Sequence, residues 1–140
     1  MSIPDVNLVA VLVTTVLSFV VGYLWYGPIF GKAWMENKGL TEKDITDGGS
    51  SMGYTLITSI IGMYLLGVFV AWSQAMTWME GATTGLLMAT LVGTFDFHTV
   101  VYDKTKGINN RFKDWLLHLG YVAVYLAIAG AIYAVGKKSI

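Results

Sequence analysis

The sequence predicts an all-α protein, a four-helix transmembrane bundle with a short interfacial helix after the first transmembrane helix. Two observations support this fold class. Apolar residues make up 55 % of the 140 residues and charged residues only 13 %, whereas soluble domains carry about 25 % charged residues. The few charges are also unevenly placed, and they leave four apolar stretches, each long enough to cross a hydrocarbon core of about 30 Å.

Each of the four stretches has the length and composition of a transmembrane helix. Two of them contain no charged residue and no histidine. In the interiors of the other two, the charged or histidine residues are Asp96, His98 and His118. About 20 apolar residues span a bilayer as a helix. The predicted helices of this single integral membrane domain, residues 1–140, are residues 6–27, 53–74, 81–102 and 113–136.

A short helix is expected between the first two transmembrane helices. The segment "FGKAWMENKG" follows Pro28, and a helix there places Phe30, Trp34 and Met35 toward lipid at the interface. The loop after it contains Thr41 and, three residues on, Asp44, a spacing that indicates one capped turn.

The positions of Lys and Arg predict the orientation. Seven lie between helices one and two or between helices three and four; the turn between helices two and three has none, and the C-terminal tail has two. Loops rich in Lys and Arg remain in the cytoplasm. We therefore expect a multi-pass protein of the cell membrane, with loops 27–52 and 103–112 cytoplasmic and both termini outside.

The third helix carries a ridge of small residues. Gly81, Gly85, Ala89 and Gly93 recur every four positions, and such ridges allow two helix backbones to approach closely in a membrane. The ridge predicts a helix contact, either inside the bundle or between two copies of the chain.

A cluster of polar groups is expected near the cytoplasmic ends of helices three and four. Successive helix residues turn by about 100°, so Asp96 and His98 point about 200° apart. This angle predicts different neighbours: a partner chain for Asp96 and helix four for His98. The candidate cluster consists of Asp96, His98, Asp114, His118 and Tyr121.

Three interpretations of this cluster remain open. Its members satisfy one another's hydrogen bonds and lock helices three and four together, because lipid supplies no partners. Alternatively, Asp and His residues form a proton or ion path, since ionisable groups inside a membrane often mark transport sites. The third interpretation is a haem or metal site using His98 and His118, because imidazoles on facing helices hold such ligands in bundles.

Composition excludes several classes of function. The chain has no cysteine, which excludes disulfides, thiol catalysis and iron–sulfur clusters. Its formal net charge is zero, so no nucleic-acid partner is implied. No nucleotide-binding motif is present. The expected partners are the lipid bilayer and either other membrane subunits or copies of the same chain.

Two stretches carry a family resemblance. "WYGPIFGKAWM", residues 25–35, follows the first helix, and "FKDWLLHLGYVAVYLAIAGAI", residues 112–132, forms the last one. Together they resemble the domain of unknown function 1761 family of small integral membrane proteins. The resemblance implies a four-helix membrane fold and brings no activity, substrate or catalytic residue with it.

The functional expectation is therefore a non-catalytic bundle, acting as an accessory subunit of a membrane complex or assembling with itself. We expect no enzymatic activity and predict no cofactor. The alternatives are a small transporter or channel that uses the Asp/His cluster, and a haem- or metal-binding membrane protein that uses His98 and His118.

Overall fold

The computed structural model describes residues 2–45 and 49–136, and within these ranges every regular element is helical. The helices are α1 (Leu8–Leu24), a π-helical turn (Trp25–Ile29), α2 (Gly31–Lys38), α3 (Glu42–Ile45), α4 (Gly49–Trp72), α5 (Trp78–Asp96), α6 (His98–Tyr102) and α7 (Ile108–Gly136). The tail lysines, Lys137 and Lys138, used to predict orientation lie outside the described residues.

Four segments are long and apolar enough to span a membrane, which confirms the predicted fold class. They are Leu8–Ile29, Ser51–Trp72, Trp78–Tyr102 and Ile108–Gly136. The last helix begins at Ile108, five residues before the predicted start. Its first turn forms because the backbone amides of Asn110 and Arg111 each donate to the Gly107 carbonyl at 3.1 Å.

The contact between α5 and α7 is the closest in the bundle. Gly81, Gly85, Ala89 and Gly93 are all buried. A Cβ atom at Gly81 would overlap the Gly130 carbonyl, and one at Gly85 would overlap the Leu126 carbonyl. The predicted ridge of small residues thus lies within one chain, where it allows the backbones of α5 and α7 to touch.

Tyrosine hydroxyls on α7 connect it to α1 and α4. Tyr133 Oη donates to the Met63 carbonyl at 2.8 Å and lies 3.3 Å from the Thr14 hydroxyl. Tyr121 Oη donates to the Ser18 carbonyl at 3.0 Å. Since lipid offers no hydrogen-bond partners, these hydroxyls are satisfied inside the protein and hold three helices together.

The two ends of the described chain lie at the same end of the bundle. Asp5, Gly67 and Gly136 line one small cavity, and the Trp72 indole donates to the Ser2 carbonyl at 3.3 Å. The α4–α5 turn is at this end, so α2, α3 and the α6–α7 loop lie at the opposite one.

The first helix ends in an unusual turn. Phe30 N–H donates to the Trp25 carbonyl at 2.9 Å, an i+5 bond, and Gly27 has a non-helical φ of −107° and ψ of −106°. Pro28 has no N–H to donate, so it interrupts the i+4 bonding pattern. The chain consequently bends into α2 at this point.

The predicted short helix is present as α2, and two of the aromatic residues expected to face lipid pack on aromatic rings of the preceding turn. Phe30 packs on Trp25 with ring centroids 4.6 Å apart, and Trp34 packs on Tyr26 at 5.4 Å. Both rings are half-buried. The π-helical turn folds α2 back against the bundle, so these rings contact protein.

The first half of α4 stands apart from the other helices. Residues 51–62 are exposed except for the half-buried Ser59. A Cβ atom at Gly53 or Gly62 would meet no other atom within 4 Å. From Met63 onward the helix packs into the bundle, and a crevice opens between its first half and the α5–α7 pair.

Candidate functional site

The predicted polar cluster surrounds a cavity at the loop-bearing end of the bundle. The cavity measures about 820 Å³ and lies between α2, α4, α5 and α7. Asp96, Asp114 and His118 of the predicted cluster line it, together with Tyr26 and Arg111. His98 and Tyr121 are not among the lining residues.

Asp114 is the centre of the charged contacts. Its carboxylate accepts a hydrogen bond from Asn37 Nδ2 at 2.5 Å and pairs with Lys38 Nζ at 3.3 Å and Lys106 Nζ at 3.6 Å. Lys106 Nζ also donates to the Asn37 carbonyl at 3.3 Å. These contacts attach α2 and the α6–α7 loop to the first turns of α7.

His118 and Tyr121 contact the end of α1. His118 Nδ1 lies 3.3 Å from Tyr26 Oη, and the rings of Tyr26 and Tyr121 are 5.4 Å apart in an edge-on arrangement. Since Tyr121 Oη is bonded to Ser18, Tyr121 fastens α7 to α1. His118 is exposed and remains at the cavity wall.

Asp96 and His98 are separated by a break in the helix. Helix α5 ends at Asp96 and α6 begins at His98. At the intervening Phe97, the backbone N–H donates to the Thr94 carbonyl at 3.3 Å, a tighter i+3 bond. His98 Nδ1 lies 2.8 Å from the Phe95 carbonyl, so its ring contacts the backbone at the end of α5.

The predicted direction of His98 toward the last helix was wrong, whereas a partner chain beside Asp96 stays a prediction. Asp96 is half-buried and lines the cavity, whereas His98 is exposed and turned away from it. The burial of Gly93 explains the different directions of the two side chains, because the face of α5 that carries Gly93 packs against α7. Asp96 follows Gly93 by three residues and shares that face, whereas His98 is about 140° away from it.

The two imidazoles therefore have different surroundings, Tyr26 for His118 and the α5 backbone for His98. Within residues 2–45 and 49–136, no group of three or more His, Asp or Glu side chains is arranged to hold a metal ion. A haem or metal site at these two residues thus has no further ligand set among the described side chains.

Sequence reasoning missed the contributions of the first helix and α2. Tyr26, Asn37 and Lys38 contact the cluster from more than 70 positions away in the sequence. Arg111 was also missed, and its Nη1 donates to the Val100 carbonyl at 2.5 Å near the end of α6. Helical periodicity contains no signal for these contacts, because those of Tyr26, Asn37 and Lys38 depend on the turn at Pro28 and that of Arg111 depends on the turn between α6 and α7.

Asp103 lies at the rim of the cavity, outside the membrane-spanning segments. Its carboxylate accepts from the Thr105 hydroxyl at 2.6 Å and from the Thr105 amide at 3.0 Å. These two bonds hold the pKa of Asp103 below its usual value, with a smaller contribution from the positive charges of Arg111 and Lys106. Asp103 is therefore ionised and already bonded at neutral pH.

A second, apolar cavity of about 390 Å³ continues the crevice toward the middle of the bundle. On each of three helices, the wall passes from the polar cavity to the apolar one within about one turn. The successive lining residues are Thr55 and Thr58 on α4, Asp96 and Val92 on α5, and His118 and Val122 on α7. The two cavities thus form one crevice with a polar mouth.

The two stretches that carry the family resemblance meet at this site. Trp25 Nε1 donates to the Leu117 carbonyl at 3.0 Å, and the Trp25 ring lies where a Cβ atom on Gly120 would contact it at 2.8 Å. Tyr26 contacts His118 and Tyr121. The turn at Pro28 and the last helix consequently form one packing unit.

Comparison with known proteins confirms the family resemblance. A family model described as "Protein of unknown function (DUF1761)" matches residues 9–134, which include both stretches. No curated protein and no solved structure matches the chain. With nearly its whole length covered by the family model, the chain belongs to the DUF1761 family of proteins of unknown function.

Proposed function

We propose that this protein is a non-catalytic membrane bundle that assembles with copies of itself or with a larger membrane complex, through the first half of α4. One observation carries the proposal. Residues 51–62 are exposed except for the half-buried Ser59, whereas α1, α5 and the second half of α7 each bury one face.

The physical argument is that this half-helix makes few packing contacts in a single chain. Transmembrane helices associate through van der Waals packing and small residues, because lipid provides no hydrophobic force between them. Gly53 leaves room for the backbone of another helix, because a Cβ atom there would meet no atom within 4 Å. A partner helix there would bury Tyr54, Ile57 and Ile61, which are 74 %, 59 % and 54 % exposed.

Cysteine cross-linking in native membranes tests this proposal, because the chain has no cysteine of its own. Ile61→Cys, on α4, is compared with Leu87→Cys, on α5. The native residues are 54 % and 61 % exposed, and both lie near the middle of their spans. We expect Ile61→Cys to cross-link efficiently and Leu87→Cys to cross-link little, since only the first position lies on the proposed interface.

Native mass spectrometry of gently extracted protein then identifies what was cross-linked. A particle of several identical chains supports self-assembly, and a particle with other polypeptides supports the accessory role. A particle of one chain only, together with equal cross-linking at both positions, would contradict the proposal.

A small transporter or channel is the second candidate. The observation that favours it is the polar cavity with Asp96, Asp114 and His118 in its wall. This candidate predicts a flux of protons or ions in liposomes that is lost in His118→Ala. The matched control is His98→Ala, because His98 lies outside the cavity; equal loss in both variants would count against a path through His118.

The haem or metal alternative keeps its own test. It predicts a coloured or metal-containing protein that loses the group when His98 and His118 are both replaced by alanine. Retention of the metal or haem in the doubly replaced protein would exclude these residues as ligands.

A further inference from the structure

The crevice between α4 and the α5–α7 pair has two chemically different parts. Its mouth is the cavity of about 820 Å³, which contains charged and aromatic side chains. Its depth is the cavity of about 390 Å³, lined by residues such as Met63, Leu66, Phe69 and Val122. A ligand that fills both parts needs a polar end and an apolar body.

Asp96 stands where the two parts meet. It is half-buried, and its neighbour one turn earlier, Val92, already lines the apolar part. Among residues 2–45 and 49–136, the Asp96 carboxylate has no hydrogen-bond donor and no cation within bonding distance. A carboxylate inside a membrane segment is costly, and such residues are usually paired. Asp96 thus offers a negative charge without a protein partner.

The charged groups at the mouth differ in how they are bonded. Lys38 pairs with Asp114 at 3.3 Å. Arg111 Nη1 donates to the Val100 carbonyl at 2.5 Å, and Arg111 Nε is buried without a hydrogen-bond partner. Asp103 accepts from Thr105. Asp96 is therefore the carboxylate of the mouth that has no hydrogen-bond donor among the described residues.

Aromatic rings add a second preference for positive charge. Tyr26, Trp34 and Trp115 line the same mouth. Ring faces attract organic cations, and rings combined with a carboxylate are a common way to recognise ammonium groups. An anionic or neutral ligand gains nothing comparable from these groups.

We propose that the crevice binds a lipophilic organic cation, with its charged centre beside Asp96 and its apolar part between α4, α5 and α7. The cation is either a free molecule or a lipid that carries an ammonium headgroup. Both place a positively charged group beside the Asp96 carboxylate. This site uses the inner side of α4 and is independent of the assembly proposed above.

The test is equilibrium dialysis of radiolabelled tetraphenylphosphonium against the full chain in a non-ionic maltoside detergent. We expect saturable binding of about one cation per chain, weakened about tenfold by Asp96→Asn. The control Asp44→Asn removes a carboxylate that is not among the residues lining the cavity, so its binding should match the unmodified protein. Asp96→Glu keeps the charge and should retain most of the affinity.

A second pair of variants tests the apolar part. Gly62 lines the apolar cavity and Gly53 does not, while a Cβ atom at either position would meet no atom within 4 Å. Gly62→Leu should therefore reduce binding by filling the cavity, and Gly53→Leu should leave it unchanged. Neither variant replaces a buried or bonded side chain, so both should fold normally. A loss of binding in Gly62→Leu alone therefore cannot be attributed to a folding defect.

Competition identifies the source of the cation. Radiolabelled tetraphenylborate, an anion of the same shape, is dialysed separately from the cation and should show no saturable binding. Displacement by phosphatidylethanolamine assigns the site to a lipid headgroup, and resistance to it assigns the site to a free cation. Absence of saturable binding, equal binding by Asp96→Asn, or stronger binding of tetraphenylborate would overturn the proposal.

Discussion

At the scale of single residues, the polar end of the bundle depends on Asp114. Its side chain is 17 % exposed and it contacts three groups from two other segments, Asn37, Lys38 and Lys106. Hydrogen bonds to charged groups contribute about 1.5–3 kcal/mol each, and removal of one partner leaves the others without compensation. The interpretation that the polar groups satisfy one another and hold segments together therefore fits Asp114 best. It fits Asp96 and His98 less well.

Asp114→Asn should lower the thermal stability of the purified protein, because Lys38 and Lys106 lose their carboxylate partner. We expect a decrease of about 1.5–3 kcal/mol in the free energy of unfolding, measured by denaturation in detergent. Asp44→Asn is the control, since the bonds of Asp44 to described residues are those to Thr41 in the exposed turn of α3. Equal stability of the two variants would show that the ion pairs contribute nothing measurable.

The turn that contains Asp44 was correctly predicted from the three-residue spacing between Thr41 and Asp44. The Asp44 carboxylate accepts from the amide and the hydroxyl of Thr41, both at 2.7 Å. These bonds hold the pKa of Asp44 below its usual value. Partners three residues apart are visible in a sequence, whereas the partners of Asp114 are not.

At the scale of elements, the closest contact is the one between α5 and α7. The small residues of α5 were recognisable from their four-residue spacing. Their partner surface was not, because both another copy and another helix of the chain fit the pattern. The position of Gly130 and Leu126 against the ridge shows that the ridge is used within the chain.

Gly85→Ala should separate α5 from α7. A methyl group at this position would overlap the Leu126 carbonyl, which belongs to the backbone and cannot rotate away. Overpacking of this kind costs about 1–3 kcal/mol, measured as a lower unfolding free energy in detergent.

Gly53→Ala is the matched control, because it adds the same methyl group to α4 where no atom lies within 4 Å. Its stability should equal or exceed that of the unmodified protein, since alanine favours a helix more than glycine does. If Gly85→Ala were as stable as Gly53→Ala, the close approach of α5 and α7 would be refuted.

At the scale of the whole molecule, the described ends of the chain and the α4–α5 turn share one end of the bundle. The loops that carry most of the basic residues lie at the other end. We propose that the basic end faces the cytoplasm, since Lys and Arg are retained on that side during insertion.

Labelling with a membrane-impermeant maleimide tests this orientation. Met76→Cys in the α4–α5 turn should react in intact cells, and Lys104→Cys in the α6–α7 loop only after the membrane is permeabilised. Both reporters work without background because the chain has no cysteine. The reverse pattern of labelling would place the termini in the cytoplasm.

The sequence by itself determined the fold class, the four spans and the short helix after Pro28. These properties follow from composition, from the length of apolar runs and from local spacing, all of which act over a few helical turns. The ridge on α5 and the position of Asp96, Asp114 and His118 at the same end of the bundle were predicted in the same way.

Only the tertiary structure decided which groups meet. The break at Phe97 and the direction of Gly93 toward α7 place Asp96 in the crevice and leave His98 outside it. The π-helical turn before α2 brings Tyr26 and Asn37 to the last helix. Periodicity describes one helix at a time. Contacts between helices depend on their rotation and on the turns that join them, so they follow from the packing of the whole chain.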